Sequence, residues 1–199
     1  MKRVFVNGYG SIGSRISQFI TGDSDIEVVG IGKYSPDEKV NDAISRGFRV
    51  YVPKNKMDQF KNFKISGTID EALQKCDLVI DAAPGGQGYT NKKTLYEPKN
   101  LSAIFQGGET IIGDKSVADL IFNSRVNYKD AFDKKYAMQG SCNVTGVGRI
   151  LQPLKEKYGA RIKRFDATLL RRWADLEDSK IEVKDSIEWT RKPHHNDDV

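Results

Sequence analysis

Cysteine is scarce: the 199 residues carry two, Cys76 and Cys142, at no spacing that suits a metal site. That excludes a disulfide framework and fits a reduced, cytoplasmic compartment. No apolar run approaches the roughly 18–20 residues that span a bilayer. The apolar stretch in "MKRVFVNGYG" is too short for a secretory leader, so no membrane partner is expected. Blocks of about five or six like charges are absent too, as are internal repeats and low-complexity segments. The net charge of +5 therefore describes a mixed, solvated surface and no nucleic-acid patch. A modest positive field also suits phosphorylated small molecules.

What is present is a regular alternation. At 38% hydrophobic the chain can bury a core without staples. Short apolar runs over 2–7, 26–32, 48–53, 77–84 and 102–108 read as strands. Amphipathic runs over 12–22, 37–47, 56–63 and 69–76 read as helices between them. This β–α alternation predicts a parallel sheet wrapped by helices on both faces. Beyond about residue 140 the texture changes: a helix over 144–158 stops at Gly159, and longer strand-like runs follow over 161–175 and 180–189. The fold class is α/β: a Rossmann-type parallel sheet over 1–140, then the start of an α+β catalytic domain over 141–199.

The segment "NGYGSIG" places Gly8, Gly10 and Gly13 as G-x-G-x-x-G between a predicted strand and a predicted helix, the context that gives the pattern meaning. The first glycine permits a tight turn, the second lets backbone approach a pyrophosphate, and the third lets helix and strand pack closely. Ser11 and Ile12 then open a helix whose N–H groups and dipole favour phosphate. An acidic residue about 20 positions on would mark NAD; counting from Gly13 reaches Lys33. A lysine cannot accept from ribose hydroxyls but can pair with a 2′-phosphate, which favours NADP over NAD.

Cys142 stands immediately before the predicted helix, where first-turn N–H groups favour a thiolate and can donate to an oxyanion. A nucleophilic cysteine beside a nicotinamide has an evident use. It adds to an aldehyde, hydride leaves, and an acceptor splits the resulting thioester. Cys76, in "LQKCDLVI", reads as a packing residue at a strand start.

With these residues in place, the chain resembles the archaeal-type phosphorylating glyceraldehyde-3-phosphate dehydrogenases. The carriers are "VNGYGSIG", "EVVGIGKYSPD", "DLVIDAAP", "AIFQGGE", "SCNVTG", "RRWAD" and "HHNDDV", in that order and over nearly the whole chain. The resemblance implies NADP- or NAD-dependent oxidation of glyceraldehyde 3-phosphate with inorganic phosphate to 1,3-bisphosphoglycerate, within glycolysis and gluconeogenesis, by a homotetramer. It makes Cys142 the nucleophile and puts Ser141, Asn143, Arg171, His195 and Asn196 around the substrate. It puts Gly108 and Arg172 on the cofactor with Gly8, Gly10, Ser11, Ile12, Gly13 and Lys33. No metal is implied. The chain departs from the family where "HHNDD" replaces "HHGPD", where "LEDSKIEVKDSIEW" stands before the histidines, and in a few extra residues between "QGGE" and "SCN". Family members also continue well past the histidines, so the chain is expected to be a truncated form or fragment. Two other functions share the same elements: a semialdehyde or acyl-phosphate dehydrogenase of the aspartate-semialdehyde type, and a dinucleotide-binding fragment without turnover.

Overall fold

Val4, Phe5, Val6 and Asn7 are buried in succession along β1 (Lys2–Asn7), so this strand lies inside a sheet covered on both faces. The computed structural model describes residues 1–106 and 109–168. The chain divides into two compact units, Met1–Ser141 and a second beginning at Cys142.

In the first unit β1 is joined by β2 (Ile26–Gly32), β3 (Val50–Val52), β4 (Gly67–Thr68), β5 (Leu78–Asp81), β6 (Ser102–Phe105), β7 (Ile121–Phe122) and β8 (Tyr136–Gln139). They form one eight-stranded sheet in the order β4-β3-β2-β1-β5-β6-β8-β7. Every pairing is parallel. The order reverses between β1 and β5, which makes the carboxyl ends of these two strands the switch point where open α/β sheets take ligands.

Side-chain alternation splits the core into two layers. One face of the sheet packs Phe5, Val79, Ala103, Phe105 and Met138 against Ile69, Ala72 and Leu73 of helix α3 (Ile69–Leu73) and against Tyr96. The other face packs Val4, Val6, Ile31, Val50 and Val52 against Val40 and Ala43, with Ile16 and Ile20 at the margin. These last come from helices α2 (Lys39–Ser45) and α1 (Ser11–Ile20). Thr68 starts α3 with a reciprocal capping box: its hydroxyl accepts from Glu71 N–H while the Glu71 carboxylate accepts from Thr68 N–H. After β5 the chain forms a short helix α4 (Gly88–Asn91) that runs on as a π-helical turn over Lys92–Tyr96.

Several expectations are trimmed. The strand expected over 48–53 is Val50–Val52 and stops at Pro53, which has no N–H for a ladder. The strands expected over 77–84 and 102–108 end at Asp81 and Phe105. The short strands β4, β7 and β8 were not anticipated; two of them have only two residues, too few for a periodic signal. In the second unit the expected helix is α5 (Cys142–Tyr158), which begins two residues before the predicted start. The strand predicted from 161 onward is corrected within the described residues, where 162–168 form no regular element. A strand needs a neighbour for its N–H and C=O groups, and no described residue pairs with this run.

Candidate functional site

The glycine loop follows β1 directly. Gly8 adopts φ +116, and a Cβ there would lie 2.5 Å from Ala82 O, in the loop after β5. A Cβ on Gly13 would lie 1.8 Å from Gly8 O. Both positions are therefore glycine by necessity: one by backbone conformation and contact with the β5 loop, the other by close approach of α1 to its own loop. Gly10 is different. A Cβ on it would meet nothing within 4 Å, so the loop leaves open space above its middle glycine. Gly10 is the N-cap of α1, and the first turn carries no acidic residue to neutralise the positive helix end. Ser11 is half-buried and Ile12 is 52% exposed at this end. The loop is anchored from below by Tyr9, whose buried ring sits in the core and whose hydroxyl donates to Asp42 Oδ2 at 2.9 Å. This loop, open at Gly10 and charged by a helix end, fits the pyrophosphate of a dinucleotide.

Lys33 is the first residue after β2, and its N–H donates to Tyr51 O at 2.9 Å. Its side chain is largely buried, and the ammonium is already paired with Asp37 at 2.5 Å. The cation thus stands at the carboxyl end of β2 with a carboxylate partner already in place.

A group of buried polar residues lies beneath this loop that sequence reasoning did not single out. Asn7 and Asp81 are register partners at the carboxyl ends of β1 and β5. Asn7 Nδ2 donates to the Tyr96 hydroxyl at 2.6 Å, Tyr96 in turn donates to Asp81 Oδ2, and Asn91 Nδ2 donates to the same oxygen at 2.9 Å. Ala83 N–H donates to Asp81 Oδ1 at 3.0 Å, and Tyr34 donates to Asn7 Oδ1 at 2.9 Å. Burial raises the Asp81 carboxyl above its ordinary value, against the lowering effect of these hydrogen bonds. The signal was available: "VFVN" and "LVID" each end an apolar strand on a buried polar residue.

The second unit presents Cys142 as the first residue of α5, exposed and outside any disulfide. Its thiol is 3.8 Å from Oδ1 of Asn143, a neighbour that the resemblance puts at the substrate. Ser141 is exposed and Asn143 half-buried. Cys76 contrasts with it. It is 6% exposed in the first core layer, and burial pushes its thiol up to about 11, which makes it an inert packing residue.

With that geometry in hand, comparison with known proteins is informative. No protein-family model matches the chain. A glyceraldehyde-3-phosphate dehydrogenase of Thermoplasma volcanium is 39% identical over 204 residues, covering all of this chain and 58% of its own length. That of Methanobacterium bryantii is 41% identical over 178 residues, 88% of this chain and 51% of its own. The chain is homologous to the archaeal glyceraldehyde-3-phosphate dehydrogenases. It spans little more than half the length of these curated relatives. Among solved structures, aspartate semialdehyde dehydrogenase with NADP from Candida albicans superposes with a TM-score of 0.51 at 16% identity, over 80% of this chain and 48% of that one. The likeness extends to the α/β fold. Of the positions that the dehydrogenase resemblance names, Gly108, Arg171, Arg172, His195 and Asn196 lie outside the described residues.

Proposed function

We propose that the chain carries the cofactor crevice and the nucleophile of an NADP- or NAD-dependent, phosphorylating glyceraldehyde-3-phosphate dehydrogenase. The observation that carries this is the glycine loop, open above Gly10 at the sheet's switch point, in a chain homologous over its whole length to dehydrogenases of that name. In this reading residues 1–140 hold the dinucleotide and 141–199 begin the catalytic domain. Gly8, Gly10 and Gly13, with Ser11 and Ile12 at the α1 N-terminus, would hold the pyrophosphate. Lys33, now paired with Asp37, would hold the 2′-phosphate of NADP. When bound, the dinucleotide supplies the hydride acceptor.

The chain's own residues do the rest. The Cys142 thiolate adds to the aldehyde carbon and forms a C–S bond, and the positive end of α5 steadies the oxyanion that results. Loss of hydride leaves a thioester on Cys142. Inorganic phosphate then attacks the acyl carbon and breaks the C–S bond, which releases the acyl phosphate and restores the thiolate. Ser141, Asn143, Arg171, His195 and Asn196 surround the substrate, and Gly108 and Arg172 complete the cofactor side. A cytoplasmic homotetramer working in glycolysis and gluconeogenesis is part of the same proposal.

The test is a turnover assay on the full chain with glyceraldehyde 3-phosphate, inorganic phosphate and NADP or NAD, read as reduced nicotinamide. Phosphate-dependent reduction that disappears in C142S supports the reading. Turnover of aspartate semialdehyde instead would point to that class of substrate. Tight NADP binding with no turnover would leave a dinucleotide-binding protein.

A further inference from the structure

We propose that Asn7, Tyr96 and Asp81 are positioning residues for the dinucleotide, acting as one hydrogen-bonded relay that fixes the loops around the crevice. The inference rests on the cofactor reading above. Donors run in a single direction along the relay: Tyr34 to Asn7, Asn7 to Tyr96, Tyr96 to Asp81. Asp81 is the terminal acceptor and also takes bonds from Asn91 and from the Ala83 N–H. All the groups that donate to it are neutral.

Such an arrangement is a poor choice for stability alone. Phe5 and Val79, the preceding same-face residues of β1 and β5, pack there without polar groups. A carboxyl group that is 3% exposed costs desolvation that a hydrophobic residue would not. What the relay does achieve is to tie together the roots of three loops. The glycine loop begins at the residue after Asn7. The loop that touches Gly8 begins after Asp81. Tyr34 stands two residues past Gly32, the end of β2. Gly32 is itself shaped to this purpose, because a Cβ there would lie 2.6 Å from Asn7 Oδ1. Tyr96 reaches Asp81 from a π-helical turn, a local rearrangement that is frequent at functional sites. Tyr34 and Asn91, the outer members, both line a cavity of about 330 Å³ beside Pro53 and Leu95. A ligand in the crevice thus meets loops whose separation the relay sets.

The test uses the full chain and its Y34F, Y96F and double variants, with NADP and NAD as probes by titration calorimetry. Urea melts establish that each variant is folded under the binding conditions. Breaking one buried hydrogen bond of the relay weakens both cofactors by the same factor, about fivefold to tenfold. The double variant is no weaker than the weaker single one by more than about twofold, because a relay broken once is already broken. Wild-type affinity in folded Y34F and Y96F, with lowered stability only, would overturn the relay and leave the cofactor reading intact. Additive losses would overturn it in favour of independent contacts. Failure of the unaltered chain to bind either dinucleotide would overturn both. Should Y96F not fold, Y34F alone decides: a loss of about fivefold to tenfold for both cofactors supports the relay, and unchanged affinity overturns it.

Discussion

Replacing Gly10 with alanine adds one methyl group to open space, which makes it the sharpest probe of the cofactor crevice. Its Cβ would meet no atom of the chain within 4 Å. The backbone at φ −94 and ψ −157 is one that alanine adopts without strain. Fewer unfolded conformations stabilise the variant by about 0.4–1 kcal/mol. Alanine is a poorer N-cap than glycine by about the same amount. The two offset, and G10A keeps its stability to within about 0.5 kcal/mol. Binding is another matter, because on the proposed placement the methyl group would occupy the space through which a pyrophosphate reaches the α1 N–H groups. Loss of a single charge-assisted hydrogen bond there, about 1.5–3 kcal/mol, weakens NADP about 10- to 150-fold. G13A is the control of opposite character. Its Cβ starts 1.8 Å from Gly8 O and must reach ordinary contact near 3.4 Å, so α1 and the loop have to part. That overpacking costs about 1–3 kcal/mol of stability as well as affinity. Calorimetric titration with NADP, beside urea melts of both variants, separates the two effects. A folded G10A that binds NADP as the unaltered chain does would refute the placement of the phosphates over this loop.

Brief treatment with iodoacetamide should label Cys142 and spare Cys76, since one is exposed and the other is buried with its thiol pushed up to about 11; peptide masses that show Cys76 labelled first would contradict the assignment. C142S should abolish turnover while leaving NADP affinity within about threefold, because the residues assigned to the pyrophosphate all precede it; a larger change in affinity would mean that the thiol belongs to the cofactor site. K33A should weaken NADP and leave NAD unchanged, and D37N, which frees the ammonium from its 2.5 Å partner, should tighten NADP; equal effects on both cofactors would remove Lys33 from the choice between them. Hydrogen bonds from Arg3 hold the Asp77 carboxyl at about 2, below its ordinary 3.8, so its contribution to stability is full above 3.8 and is lost as pH falls through about 2. Asp81, raised by burial, has the opposite sign: the folded state holds the proton more tightly, and stability falls as pH rises from 3.8 through the raised value. Urea melts of D77N and D81N against pH should each lose one of these limbs, and identical profiles would refute the opposite signs of the two carboxyl groups.

The parts of the fold that could be read in advance are those that local chemistry decides. Lys2–Asn7 and Ile26–Gly32 were legible to the residue because apolar runs there are bounded by loop-forming residues. The glycine loop was legible because each of its glycines answers a distinct steric demand, and those demands recur as contacts at Gly8 and Gly13 and as open space at Gly10. What escaped depends on partners distant in sequence. Strand β8 is four residues of modest alternation and owes its place to β6 and β7. The relay joins residues 7, 34, 81, 91 and 96, and no short window of the sequence contains them all. Lys33 was legible as a cation at the right place. Its pairing with Asp37 rests on a spacing of four residues in a loop, where no helical or strand period says which side chains meet.

The buried core also bears on how binding and chemistry are divided along the chain. Every buried hydrophobic residue among those described lies between Val4 and Met138, and helix α5 has none. Both apolar layers of the sheet are thus supplied by residues that precede Ser141. So are the positive helix end, the relay and the cavity beside Tyr34. The first unit therefore contains the glycine loop and the relay proposed to shape the crevice, whereas Cys142, the proposed nucleophile, opens the second. On the proposed assignment, stability and the binding of the pyrophosphate report on residues before Ser141, and thiol reactivity and turnover report on Ser141 and the residues after it. A substitution on the sheet, between Lys2 and Gln139, that abolishes turnover while NADP affinity and stability stay unchanged would break this division. It would place part of the chemistry on the sheet itself, and the buried Asp81 carboxyl would be the first group to suspect.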